Sequence, residues 1–208
     1  MKLNEILDIL VNQIHTVVLA TNDMYNRPIT SAIDLMLIEN QKIYFLTARG
    51  KNLYDRLMET QYVSLTGLLG ESTMNCQSIS LSGKVKNIGQ EKLDIIFEKN
   101  SYMNEIYPNI KVRNVLQVFE IYEYQGEYFD LSQKPINRQS FSFGKKIEDY
   151  AYRVGNGCIY CKACSRVCPQ KCIDISSKPV KIDSSHCLRC GKCAEICPRR
   201  TIQKVKID

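Results

Sequence analysis

The chain has 208 residues, a formal net charge of +6, ten cysteines and no tryptophan. That length suits one domain of about 150 residues plus a small one, and the 44% hydrophobic share is ordinary for a globular protein. No apolar run reaches the ~18 residues of a membrane-spanning helix, so no membrane partner is expected.

The amino terminus, "MKLNEILDILVNQI", carries charges inside its apolar pattern. It reads as an amphipathic helix and not as a secretory signal, which leads to the expectation of a cytoplasmic protein with reduced thiols and argues against a disulfide framework. "HTVVLAT" is β-rich and "NDMYNRP" is a turn by composition. "ITSAIDLMLIEN" and "KIYFLTA", separated by Asn40-Gln41, predict a hairpin. "KNLYDRLMET" spaces Leu53, Leu57 and Met58 as a helix does. "YVSLTGLLG" and "QSISLSGKVKNI" return to strand alternation, and "QEKLDIIFEKNSYMNEIY" reads as a helix. "VLQVFEIYEYQGEYFDL" predicts a second hairpin turning at Gln125-Gly126. Many antiparallel strands with a few helices predict a β-barrel with flanking helices over residues 1–131.

Residues 132–150 are polar, contain Pro, Gly and Ser, and are expected to connect two domains. From 151 to 208 the composition changes. Nine of the ten cysteines lie between Cys158 and Cys197, and this tail holds 12 Lys and Arg against 4 Asp and Glu, a formal +8, which leaves −2 for the first 150 residues. The basic residues alternate with cysteines and lack an aromatic stacking pattern, so no nucleic-acid partner is expected.

The tail is an internal repeat with a period of 29 residues: Cys158, Cys161, Cys164, Cys168, Pro169 and Ile173 return as Cys187, Cys190, Cys193, Cys197, Pro198 and Ile202. Each half is C-x2-C-x2-C-x3-C-P. Three cysteines spaced by two residues can wrap one iron–sulfur cube, and the soft thiolates suit iron. The fourth follows three residues later at a turn fixed by proline and points away. Zinc is the competing reading, but it takes paired ligands, often with His, and His186 is the only histidine nearby. The doubled motif resembles the bacterial two-cluster ferredoxins, in which the fourth cysteine serves the other cluster. The resemblance implies a small α+β ferredoxin domain over 151–208 with two [4Fe–4S] clusters, one on Cys158, Cys161, Cys164 and Cys197, the other on Cys187, Cys190, Cys193 and Cys168. Cys172 and Cys76 fall outside the pattern and read as packing residues.

In the first domain, "FLTARGKNLYDRL" ends a strand at Thr47 and begins a helix near Lys51. Free N–H groups, a hydroxyl and an ammonium at one helix amino terminus make an anion site. The wider stretch from "VVLATNDMYNRPITSAIDL" to "SISLSGKVKNIG" resembles the pyridoxamine 5′-phosphate oxidase-like split-barrel family over residues 3–130. The resemblance implies a mainly β, six-stranded split barrel, a homodimer, and FMN at the subunit interface. It places Ser31, Ala32 and Ile33 along the flavin ring, Thr47 and Lys51 at the phosphate, and Gln77 or Ser78 as a polar contact. Two family features are missing: an Arg near Ser31 and the carboxy-terminal substrate motif, whose place the ferredoxin takes. Relatives of the fold also bind haem or a deazaflavin, and His15, opening a strand, reads as an ordinary polar residue.

Together these features predict a redox protein that passes electrons between two clusters and FMN to a small-molecule substrate, with a low-potential electron donor protein as partner. The competing readings are an electron carrier whose barrel only docks a partner, and a barrel that binds haem or a deazaflavin. No catalytic residue is singled out.

Overall fold

The computed structural model of the protein describes residues 1–207. Six antiparallel strands close a barrel: β1 (Thr16–Asn22), β2 (Pro28–Glu39), β3 (Lys42–Ala48), β4 (Tyr62–Ser72), β5 (Asn75–Asn87) and β6 (Leu116–Asp130). Their order is β3-β2-β1-β4-β5-β6, and β6 returns to pair with β3, so the sheet has no free edge at the seam. The hairpin at Asn40-Gln41 forms as expected. Both residues have positive φ, 51° and 63°, as a two-residue turn between twisted strands requires.

Alternation along the strands turns Val17, Leu19, Ile33, Leu35, Ile43, Phe45, Leu65, Ile79, Leu81 and Phe119 inward. Helices plug both ends. The amino-terminal helix, α1 (Leu3–Asp8), continues as a π-helix over Ile9–Ile14, and together they insert Ile6, Leu7, Leu10 and Val11 into this core. At the opposite end α2 (Asn52–Thr60) inserts Leu53 and Leu57. Each such side chain contributes roughly 1.5–3 kcal/mol by leaving water.

Three expectations need correction. "QEKLDIIFEKNSYMNEIY" is not one helix but two short ones, α3 (Leu93–Lys99) and α4 (Met103–Ile106), followed by a third, α5 (Ile110–Arg113). Buried Asn100 at the break donates to the Met36 and Ile96 carbonyls, and so ties the chain to β2 instead of continuing α3. The second correction is at Gln125-Gly126, where there is no hairpin and β6 runs through as a strand of 15 residues. Gly126 marks a close approach: a Cβ there would stand 2.4 Å from the Ser80 carbonyl oxygen and 2.5 Å from the Phe141 ring.

Third, residues 132–150 are not a free connection. Asn137–Phe143 forms β7, which pairs with the carboxy-terminal half of β6 and widens the sheet beyond the barrel. Strand β8 (Asp149–Val154) already belongs to the cysteine-rich region, where it pairs with β11 (Ile202–Ile207). Between them lie α6 (Ala163–Val167), the small ladder of β9 (Ile173–Asp174) with β10 (Lys181–Ile182), and α7 (Lys192–Glu195). Among the described residues no helix is long and apolar enough to cross a membrane.

Candidate cofactor sites

The 29-residue repeat is visible in the backbone. Tyr160, Lys162 and Lys171 have positive φ, and so do Arg189, Gly191 and Arg200, each 29 residues later. These left-handed positions turn the chain around the thiols and aim amides at sulfur: Tyr160 N donates to Cys158 Sγ at 3.4 Å, and Arg189 N to Cys187 Sγ at 3.3 Å. The fourth cysteines match as well. Cys168 Sγ lies 3.5 Å from Cys172 Sγ, and Cys197 Sγ 3.5 Å from Thr201 Oγ1.

Two cavities result. Cys158, Cys161, Cys164 and Cys197 line the first together with Val154, Ile159 and Ile202. Cys168, Cys187, Cys190 and Cys193 line the second, with Cys172, Tyr152 and Ile182. Each cavity thus takes three cysteines from one half of the repeat and the fourth from the other, the crossed grouping expected from the sequence. All ten cysteines are free thiols. Burial raises the Cys164 thiol pKa and pushes that of Cys193 to about 11, so both hold their protons until a ligand displaces them. A single zinc would need four sulfurs within about 2.3 Å of one point. Among the described residues no three His, Cys, Asp or Glu side chains converge in that way. Four thiols around an apolar hollow fit a cluster with an iron at each corner.

On the barrel, Ser31, Ala32 and Ile33 lie mid-strand in β2 opposite Leu19, Val18 and Val17 of β1. Thr47, the last residue but one of β3, is 4% exposed, and its hydroxyl has no hydrogen-bond partner. Lys51 is exposed and forms the N-cap of α2 without a side-chain cap, which leaves the helix amino end open. Ser31 and α2 are joined by Arg56, whose Nε donates to Thr21 Oγ1 at 2.8 Å and whose Nη2 lies 3.4 Å from Ser31 Oγ. An arginine therefore does stand beside Ser31 in space, contributed by α2.

Gln77 and Ser78 stand apart. Ser31 shares a cross-strand row with Leu19, Leu65 and Leu81, and Gln77 lies four residues farther along β5, about 13 Å at the usual rise per residue. Within one subunit they do not join the Ser31–Lys51 group.

The outer face of the sheet carries a groove of about 570 Å³, a volume in the usual range for a bound small molecule or cofactor. Val18, Thr66, Ser80, Glu127 and Ser140 form one cross-strand row in it, and Ile147, Glu148 and Asp149 wall one side. Val18, Tyr62 and Leu68 are exposed on the same face.

Two residues escape the sequence reading. Arg56 meets Thr21 and Ser31 only through barrel closure, and no local pattern marks it. Arg189 did leave a signal, because the repeat places it opposite Tyr160 and a charge there breaks the internal likeness.

Family-level comparison divides the chain in the same way. Residues 150–198 match the 4Fe-4S dicluster domain. No curated protein matches the chain. Among solved structures, a NimC/NimA family protein from Clostridium acetobutylicum superposes with a TM-score of 0.56 at 16% identity, over 68% of this chain and 92% of that one. A haem-binding protein from Mycobacterium smegmatis gives 0.53 at 10% identity, over 68% and 58%. A Clostridium acetobutylicum protein of the pyridoxinephosphate oxidase family, related to general stress protein 26 of B. subtilis, gives 0.51 at 13% identity, over 68% and 96%. At these identities the superpositions establish the barrel fold. The pyridoxamine 5′-phosphate oxidase model matches residues 3–130, more than half of the sequence, and the chain belongs to that family, with a 4Fe-4S dicluster domain following the barrel.

Proposed function

We propose that the chain is a flavin- and iron–sulfur-dependent redox protein that exchanges electrons between two [4Fe–4S] clusters and FMN to reduce or oxidise a small molecule. The observation that carries this reading is the pair of crossed cysteine cavities on the same chain as a barrel of this family. When bound, the clusters supply one-electron transfer and the flavin couples single electrons to pairs.

The protein's own share is holding and orienting. Cys158, Cys161, Cys164 and Cys197 hold one cluster, and Cys168, Cys187, Cys190 and Cys193 the other. The amides of Tyr160 and Arg189 stabilise charge on sulfur. Thr47, with its buried unpartnered hydroxyl, and Lys51 at the open end of α2 take the phosphate, with Arg56 adding charge beside Ser31. Ser31, Ala32 and Ile33 offer backbone to the ring. Gln77 and Ser78, remote within a subunit, serve the site of a second copy, and the exposed Val18, Tyr62 and Leu68 supply apolar surface for such a homodimer. A low-potential donor protein feeds the clusters. Haem ligation by His15 is disfavoured because both its ring nitrogens already face partners, Tyr102 OH at 3.0 Å and the Val11 carbonyl at 3.4 Å.

Anaerobic purification followed by iron, sulfide and flavin analysis tests the proposal. The expected result is eight irons and one FMN per chain, with flavin bands above a broad cluster shoulder. Zinc in place of iron, four irons with no second cluster on reconstitution, or a sharp Soret band would overturn it. Full clusters with no flavin would make the barrel a docking body for a partner enzyme.

A further inference from the structure

Building on the reading that both cysteine cavities hold clusters, we propose that the second cavity is the one joined to the barrel, and that Arg189 is the positioning residue that holds it at the rim of the sheet groove. The two halves of the repeat are alike in backbone but differ in what they touch. Among the described residues, every side-chain hydrogen bond or ion pair from residues 151–207 to the barrel sheet and its β6–β7 connection starts at the second motif or the residue just before it. His186 Nδ1 lies 2.7 Å from the Ile136 carbonyl oxygen, ahead of β7. Arg189 lies 3.5 Å from Glu127 on β6, and its two terminal nitrogens grip both oxygens of Asp149 at 2.6 Å each. Asp149 in turn accepts from Ser140 on β7. The fork is bidentate and largely buried, with side-chain exposures of 20% for Arg189 and 14% for Asp149, a geometry in which an arginine–carboxylate pair is directional and strong.

The first motif has none of this. Tyr160, the repeat partner of Arg189, bonds its hydroxyl to the Ile175 carbonyl within its own domain, and Lys162 lies over its ring. Ile159 beside it is 53% exposed. The first cavity is therefore the outer one, open to an external protein, and the second is the inner one.

Arg189 also touches the cysteine loop, since its amide donates to Cys187 Sγ while its guanidinium grips Asp149 and Glu127. Asp149 and Glu127 both line the groove. The single residue Arg189 thus links a thiol of the second cavity, through its amide, to the rim of the groove, through its guanidinium, and this cation belongs to the second half of the repeat only.

The test uses the full chain, anaerobically loaded, with Arg189→Ala, Arg189→Lys, Asp149→Asn and, as control in the other half, Tyr160→Ala. Iron and flavin are counted first, so a chain that takes up no iron rejects the functional reading independently of the docking. In loaded protein, Arg189→Ala is expected to speed amide exchange at Ser140, Phe141, Asp149 and Tyr150 at least tenfold, with Arg189→Lys intermediate and Tyr160→Ala without effect. Loss of the cation should also lower the midpoint potential of one cluster and leave the other in place. If Arg189→Ala sheds iron, Asp149→Asn decides, since it breaks the same fork without altering the cysteine loop. Unchanged exchange in Asp149→Asn, equal shifts of both clusters in Arg189→Ala, or the same loosening in Tyr160→Ala would overturn the proposal.

Discussion

The barrel and the cysteine-rich domain solve the problem of stability in opposite ways. The barrel buries a continuous cluster of 22 residues, from Ile6 to Phe141, sealed by helices at both ends. The smaller domain packs only five buried residues into its core, Cys164, Ile173, Val180, Cys193 and Ile202, and two of these are cysteines of the repeat. A unit of this size ordinarily lacks enough apolar surface to offset chain entropy. In the barrel the core holds the site, whereas in the smaller domain the site must serve as the core.

The sharpest way to break that comparison is to remove the iron. Metal contributions to folding of small sites are on the order of 10 kcal/mol, as large as the whole apolar contribution of so small a core. Stripping iron under anaerobic, reducing conditions should abolish amide protection across residues 149–207 and leave the barrel strands protected. A cysteine-rich domain that stays protected without iron, or a barrel that melts with it, would sink the contrast.

Loss of one cluster sharpens it. Cys197→Ser should damage the cluster on Cys158, Cys161 and Cys164 and spare the one on Cys187, Cys190 and Cys193, because Cys197 lines the first cavity. Paramagnetic resonance of the reduced variant shows which signal goes. Disappearance of the signal assigned to the second cavity would mean that the crossing is wrong.

Smaller effects are expected within the barrel. Asp130 is fully buried and accepts from Tyr128 OH, Ser132 N and Oγ, and Gln133 Nε2. Burial alone would raise its pKa, but these bonds outweigh it and hold the carboxyl below the usual carboxylate range. With the folded value depressed, its stabilisation is full above the unfolded carboxylate pKa and is lost as pH falls through the folded one. Asp130→Asn should cost roughly 1.5–3 kcal/mol at neutral pH, read from melting of iron-stripped protein, with the deficit shrinking as pH drops below 4. A deficit independent of pH would show that the charge is not what matters. Lys51→Ala and Arg56→Ala should each weaken FMN about tenfold, with eight irons retained. Unchanged flavin affinity in both, measured by titration, would remove the phosphate from the start of α2.

The same contrast governs what was legible in the sequence. Barrel strands alternate because one face of each is buried, so their order, and the turn at Asn40-Gln41, could be read locally. Gly126 could not, since a glycine that admits a turn and one that admits a close neighbour look alike until Ser80 and Phe141 are in place. Nor could the tether of Asn100 to Met36, 64 residues away, which ends α3. The eight cysteines were legible because a repeat carries its own register. Arg56 was not, because it acts across a distance that only the folded chain defines, and Arg189 showed only as a break in the repeat, its partner Asp149 lying 40 residues away.

Cys172 should give the smallest effect, and it tests how far the repeat equivalence extends. It lines the second cavity with Cys168 3.5 Å away, close enough to be mistaken for a ligand. Its counterpart Thr201 stands at the same distance from Cys197, and a threonine does not ligate these clusters. Positive φ precedes both residues, at Lys171 and Arg200, so the two side chains leave equivalent backbones. In this pairing position 172 is a neighbour of the fourth cysteine whose hydrogen bond adjusts charge on sulfur. Cys172→Thr installs the side chain that the other half already uses. Eight irons should remain, and because a hydroxyl donates more strongly than a thiol, the midpoint potential of the second cluster should rise slightly while that of the first stays fixed. Iron analysis with a redox titration followed by paramagnetic resonance checks both statements. Loss of the second cluster would make Cys172 a ligand and end the equivalence of the two halves.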